Sequence, residues 1–173
     1  MLTQQLIDVQ PDDSILAFEC IAQGFTLAYG NMRGDVQSYK SVDGFSAKHQ
    51  LIQAMHDSHQ EFGKPQALAC AIGPGSFTGL RVASVAARSV AWALNIPVYG
   101  IDSLQALAIA QGNGKWACLL PLKKDTTFVA AYEVTTDTVN CIFPCTAILD
   151  KDKPSLPIDK SFTAIGPALS RQE

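Results

Sequence analysis

Ala67-Leu68-Ala69-Cys70-Ala71-Ile72-Gly73-Pro74-Gly75-Ser76-Phe77-Thr78-Gly79-Leu80-Arg81 is the stretch on which the fold turns. Its first six residues form a short apolar run, the pattern of a fully buried strand. The glycines that follow free the backbone for positive φ or for close approach of another group, and Pro74 stiffens the turn. From Gly79 to Leu94 nearly every residue is apolar or small and no proline intervenes, so this segment is expected to be a helix. Ser76 or Thr78 offers a side-chain oxygen to cap it.

A glycine loop ahead of a helix invites a phosphate-binding reading, which fails on spacing. A P-loop needs Gly-Lys-Ser/Thr after four intervening residues, but five residues past Gly73 stands Thr78, with no lysine near. The dinucleotide fingerprint needs its third glycine at that same Thr78. A nucleophile elbow needs glycines two residues either side of its serine, and Ser76 has Pro74 and Thr78 there. Gly73, Pro74, Gly75, Ser76, Thr78 and Gly79 are therefore read as a structural loop. What remains is the attraction for anions that any free helix N-terminus has.

In the helix, Ala83, Ala87 and Ala91 recur every four residues and so line one face, with Ser84 and Ala86 alongside. Small residues at that spacing let another backbone come close. Leu80, Val82, Val85, Val90 and Leu94 spread over the other faces, and Arg81 and Arg88 share an edge. A helix apolar nearly all round is deep in a core or shared with a partner. The expectation is one face in the core and the alanine stripe in a partner, with Leu80, Val90 and Leu94 beside it. Leu51, Ile52 and Met55 of the preceding helix are expected to complete that interface. The competing reading puts the alanines in the chain's own core, under the sheet.

The rest of the chain frames this segment. With 173 residues and 47% hydrophobic residues, it can build one domain or two small lobes around a real core. The balance of 13 basic against 16 acidic residues, with no basic run in the linear sequence, argues against independent nucleic-acid binding. No segment has the apolar length of a membrane span, and Met1 to Asp8 lacks the pattern of a signal peptide, so a cytoplasmic protein is expected. Cys20, Cys70 and Cys118 lie in apolar strand-like runs, and Cys141 and Cys145 lack the partners of a zinc set. His56 and His59 are three apart on a helix, with only surface carboxylates nearby. No metal is expected.

Strands are expected at Ser14 to Cys20, Gly24 to Tyr29 and Val36 to Val42, with a Gln23-Gly24 turn between the first two. A helix opening at Asp43 or Ser46 runs to about Phe62. After the glycine-loop helix come a strand at Val98 to Ile101 and a helix from Ser103 to Ala110. Gln111-Gly112-Asn113-Gly114 reads as a lobe boundary, giving lobes at 1–110 and 115–173. The second opens with strands at Trp116 to Leu122, Phe128 to Val134 and Val139 to Phe143. Three strands followed by alternating helix and strand imply an α/β fold.

The nonapeptide Gly73 to Arg81, preceded by its strand and followed by Asn95-Ile96-Pro97-Val98-Tyr99-Gly100-Ile101-Asp102-Ser103-Leu104, resembles the TsaB family, formerly YeaZ. That family lies in the glycoprotease-like branch of the actin-like ATPase superfamily. The resemblance is strong from about Ser14 to Ala110 and looser from Trp116. It implies an actin-like ATPase (ribonuclease H-like) lobe, a mixed sheet flanked by helices, followed by an abbreviated second lobe of the same plan. It also implies a non-catalytic subunit that pairs with a TsaD-like catalytic protein and a TsaE-like ATPase. Together these form threonylcarbamoyladenosine next to the anticodon of tRNAs reading codons that begin with A. A homodimer is expected when the chain is alone, and tRNA contact only through the complex.

The chain departs from the family pattern where a nucleotide cleft would lie. TsaB proteins commonly read Asp-Thr-Ser-Thr at the end of the first strand, and this chain has Glu19-Cys20-Ile21-Ala22. The second lobe's usual Asp-Ala-Arg is replaced by Pro121-Leu122-Lys123. His49 matches the family's helix-starting histidine, but Gln53 stands where TsaD's His-x-x-x-His metal pair would have its second member. No cofactor is therefore expected on the isolated chain, with ATP or ADP held only at the interface of the complex. A stand-alone peptidase- or kinase-like enzyme, and an interaction module serving another partner, are the alternatives.

Overall fold

A computed structural model of the chain describes residues 9–21, 24–155 and 158–167. The readings at Met1 to Asp8, Ala22 and Gln23 lie outside these. The described residues form two compact units, with 9–71 and 77–100 in the first and 72–76 and 101–167 in the second.

The first unit begins with a three-stranded antiparallel meander, β1 (Ser14–Glu19), β2 (Gly24–Asn31) and β3 (Val36–Asp43). Alternate residues Leu16 and Phe18 of β1, and Phe25, Leu27 and Tyr29 of β2, are buried, as period-two patterning requires. A 3-10 segment, Phe45–Gln50, leads into α1 (Leu51–Phe62). The single helix expected here is thus two. Gly44, at φ 107°, supplies no side-chain cap, and the chain enters through a tighter turn.

Next come β4 (Ala67–Gly73), parallel to β1, then α2 (Phe77–Leu94) and β5 (Val98–Asp102). The sheet order is β3-β2-β1-β4-β5, which makes β4 an interior strand and explains its apolar run. Its core joins β1, β2 and β4 to Leu51, Ala54 and Met55 of α1 and Ala83, Ala86, Ala87 and Ala91 of α2. Tyr29 ties β2 to the end of α1. Its ring stacks on Phe62 at 5.2 Å, and its hydroxyl donates to the carbonyls of Phe62 and Gly63 at 3.2 and 3.3 Å.

The second unit contains α3 (Ser103–Ile109), β6 (Gly114–Lys123), β7 (Thr126–Val134), β8 (Val139–Leu149), a 3-10 segment at Asp150–Ser155, and β9 (Thr163–Ile165). Its sheet runs β8-β7-β6-β9, with β6 to β8 antiparallel and β9 parallel to β6. This repeats the order β3-β2-β1-β4 strand for strand, so the second sheet follows the expected plan. The expected boundary, with lobes at 1–110 and 115–173, is corrected. Leu104 and Ala108 of α3 pack with Cys118, Ala130 and Tyr132, so α3 belongs with the second sheet. β8 also runs six residues past the expected Phe143. Pro144 is tolerated there because β8 is an edge strand.

Candidate partner-binding face

The helices α1 and α2 of the first unit carry the residues singled out for an interface. The buried face of α2 consists of Gly79, Ala83, Ala86, Ala87 and Ala91. Ala83, Ala87 and Ala91 are 0%, 3% and 8% exposed, and Leu51 and Met55 are buried with them. The placement of the alanine stripe on an open surface is therefore corrected: it lies in the chain's own core. Small side chains here let α2 settle close to the sheet. At Gly79 the approach is closest, since a Cβ built there would fall 1.7 Å from the carbonyl oxygen of Cys20.

Turning α2 this way leaves a different surface open. Ile52 on α1 is 51% exposed and Val85 on α2 is 66% exposed. Between them, with Lys48, Thr78, Val82 and Ser89, lies a groove of about 620 Å³. Ile52 also lines an adjoining cavity of about 220 Å³, together with His56, His59, Val90 and Leu94. The Nδ1 atom of His59 is buried and has no hydrogen-bond partner among the described residues. Of the expected interface residues, Ile52 is open, Leu80, Val90 and Leu94 are half-buried, and the remainder are core.

The outer rim of α2 was not legible as a linear motif. Phe77, Arg81, Arg88 and Trp92 are spaced by four, seven and four residues, which sets them on one helical stripe. Phe77 and Trp92 are 74% and 85% exposed. The Arg81 guanidinium lies 5.5 Å from the centre of the Phe77 ring. No acidic residue occurs anywhere in α2.

The glycine loop has the geometry of a turn rather than a reactive centre. Gly73 takes φ 112°, the Gly73–Pro74 peptide is cis, and α2 starts at Phe77, so Ser76 occupies the cap position. Burial pushes the Cys20 and Cys70 thiols up to about 11 and the Cys118 thiol to about 12, which keeps all three protonated. Among the described residues no group of three His, Cys, Asp or Glu side chains could hold a metal.

A family model described as TsaD, tRNA N6-adenosine threonylcarbamoyltransferase, matches residues 48–162, well over half of the chain. The tRNA threonylcarbamoyladenosine biosynthesis protein TsaB of Bacillus subtilis is 27% identical over 128 residues, which cover 67% of this chain and 54% of that protein. YeaZ from Pseudomonas aeruginosa superposes with a TM-score of 0.71 at 22% identity, over 85% of this chain and 72% of that one. The chain belongs to the family that this TsaD model describes, and within it the chain is similar to TsaB (YeaZ) proteins.

A further relative is the tRNA N6-adenosine threonylcarbamoyltransferase of Neorickettsia sennetsu, 28% identical over 91 residues, or 53% of this chain and 27% of that protein. The chain thus spans about half the length of the curated TsaB protein it matches. The positions read from the sequence as departures from the TsaB pattern can be placed individually. The Glu19 carboxylate accepts a hydrogen bond from the backbone N–H of Ile21 at 2.6 Å. The Cys20 side chain is fully buried, and Ala22 lies outside the described residues. His49 is exposed on the 3-10 segment ahead of α1, with Gln53 and not a second histidine four residues on. No helix among the described residues is long and apolar enough to cross a membrane.

Proposed function

We propose that this TsaB-type chain is a non-catalytic subunit in the formation of threonylcarbamoyladenosine on tRNA, docking a TsaD-type catalytic subunit on its α1/α2 face. The observation that carries the reading is the apolar groove around Ile52, Val82 and Val85, open beside the core of the first unit. Exposed apolar patches rimmed by polar residues mark interaction sites. Sequence similarity both to TsaB and to the threonylcarbamoyltransferase supports the choice of partner. On this reading the chemistry belongs to the partner.

Nucleotide is held, on this reading, only in the complex with TsaD- and TsaE-type subunits. That Glu19 is engaged in its own turn, and that no lysine follows the glycine loop in sequence, support this reading. Calorimetry should detect no ATP binding at about 1 µM or tighter, an affinity worth roughly −8 kcal/mol. The function itself is tested by depleting the chain in its native cell and measuring threonylcarbamoyladenosine in bulk tRNA. The modification should fall, and the TsaD-type subunit should co-purify with the tagged chain. Unchanged modification after depletion would assign the chain to another task.

A further inference from the structure

Three of the five cysteines meet on one face of the second unit's sheet. Cys141 of β8 stands opposite Tyr132 of β7, and Cys118 of β6 stands opposite Ala130, which shares the Tyr132 face. This is the face that Leu104 and Ala108 of α3 cover. In a regular strand Cys145 would lie about 13 Å from Cys141. β8 is not regular. Its residues Cys141, Phe143 and Thr146 oppose Tyr132, Ala131 and Val129, so two bulges fold five steps of β8 onto three of β7. Inside the second bulge the Thr146 hydroxyl donates to the Pro144 carbonyl at 2.9 Å. Thr146 shares the other face with its partner Val129, which turns Cys145 to the Cys141 side. The span of three β7 steps is about 10 Å, which leaves the two cysteine backbones about 7 Å apart. Both cysteines are exposed. Partial burial, then the Asp102 carboxylate and Cys141, push the Cys145 thiol above its ordinary value, so the groups sense one another.

That spacing selects the chemistry. A disulfide needs sulfurs about 2 Å apart, and backbones about 7 Å apart stand at the limit of its reach. One ion held between two thiolates sets the sulfurs about 4.6 Å apart, twice a metal–sulfur bond of about 2.3 Å. Two cysteine side chains leaning together from the same strand face meet that second requirement with the strand as it is. Zinc takes four ligands, and among the described residues no third His, Cys, Asp or Glu side chain completes a set. A soft monovalent ion such as Cu(I) takes two thiolates in line.

We propose that Cys141 and Cys145 form a two-thiolate site for a soft, thiophilic monovalent cation of the Cu(I) type. Binding breaks two S–H bonds and forms two S–Cu bonds, and both protons leave to solvent. Copper enters as Cu(I), so no electron moves. The product carries one net negative charge, which water screens at this exposed edge strand and which the Asp102 carboxylate opposes. Tyr132, whose hydroxyl donates to Asp102 at 3.4 Å, and buried Cys118 stay protonated and take no part.

The test uses the full chain, reduced and free of oxygen, with Cu(I) presented on the coloured chelator bicinchoninate. The wild type should withdraw one Cu(I) per chain, and the loaded protein should resist iodoacetamide at Cys141 and Cys145 together. Cys141→Ser and Cys145→Ser should each lose the ion, and Cys118→Ala should keep it. Asp102→Asn keeps the Oδ1 that caps α3 and removes the charge, so it should hold Cu(I) more tightly. Zn(II) offered on a chelator should not be retained. Both serine variants lie at exposed positions and should fold, as circular dichroism will show. The protection experiment needs no variant and decides the matter if one fails to fold. Copper left with the chelator by the wild type would overturn the proposal. So would retention by either serine variant, or protection of one cysteine alone, because a single thiol would then hold the ion. Half an ion per chain with a dimer in sedimentation would place the ion between two chains instead. A small-molecule disulfide that links Cys141 to Cys145, with no Cu(I) withdrawn, would reassign the pair to oxidation and reduction.

Discussion

The backbone of Gly79 in α2 packs so tightly against the end of β1 that a Cβ there would lie 1.7 Å from the Cys20 carbonyl oxygen and 2.9 Å from Lys48 Nζ. The lysine end can swing aside, but the carbonyl is backbone one residue past β1 and cannot. Gly79→Val should therefore push α2 off the sheet and destabilise the fold by about 1–3 kcal/mol or more. Urea denaturation with unchanged stability would mean that the helix start is free to shift. Ser76→Ala, by contrast, removes at most a cap and should cost on the order of 1 kcal/mol.

Ala87 provides the test of which way α2 faces. It is 3% exposed within the core that joins α1, α2 and the sheet. Ala87→Arg would bury an unpaired charge, so the variant should fail to fold or lose most of its stability. A folded, cooperatively melting Ala87→Arg protein would show that the stripe is accessible after all.

The thiols yield a dependence on pH. Cys20 and Cys70 rise from the ordinary 9.0 to about 11, and Cys118 to about 12, in each case chiefly through burial. Above pH 9 the unfolded chain releases these protons while the folded chain keeps them. The stability they contribute is fully present below pH 9 and is lost as pH rises through about 11 to 12. Denaturant midpoints should therefore fall on the alkaline side. In the native protein at neutral pH, alkylation should reach exposed Cys141 and Cys145 and spare the three buried thiols, while all five should react after unfolding.

Asp102 is a structural residue that the sequence reading did not single out. Its Oδ1 caps α3 by accepting from the N–H groups of Leu104 and Gln105 at 2.9 and 2.8 Å, and it accepts from the Tyr132 hydroxyl at 3.4 Å. Burial, reinforced by this carboxylate, raises the Tyr132 phenol and keeps it a donor. Asp102→Ala should cost about 2 kcal/mol, since it removes the cap and strands the hydroxyl. Because α3 and Tyr132 belong to the second unit, thermal melting should show the loss there, with the α1/α2 face still able to bind.

The sequence by itself determined the order of strands and helices from β1 to β8, because a six-residue apolar run, period-two alternation and glycine turns are local signals that need no partner to be read; β9, three residues long, was not read. It also marked Gly73 to Gly79 as a tight turn, and the failed phosphate templates followed from spacing alone. What spacing does not carry is the absolute orientation of a helix that is apolar nearly all round. Ala83, Ala87 and Ala91 define a face, but small side chains suit close approach to a sheet and to a partner helix equally well. The same holds for Phe77, Arg81, Arg88 and Trp92, which become one stripe only once the opposite face is known to be buried. Tertiary packing decided both points. The carbonyl of Cys20 leaves room for α2 only with Gly79 and the alanines turned inward, and that single contact sends Val85, the arginines and Trp92 out to solvent.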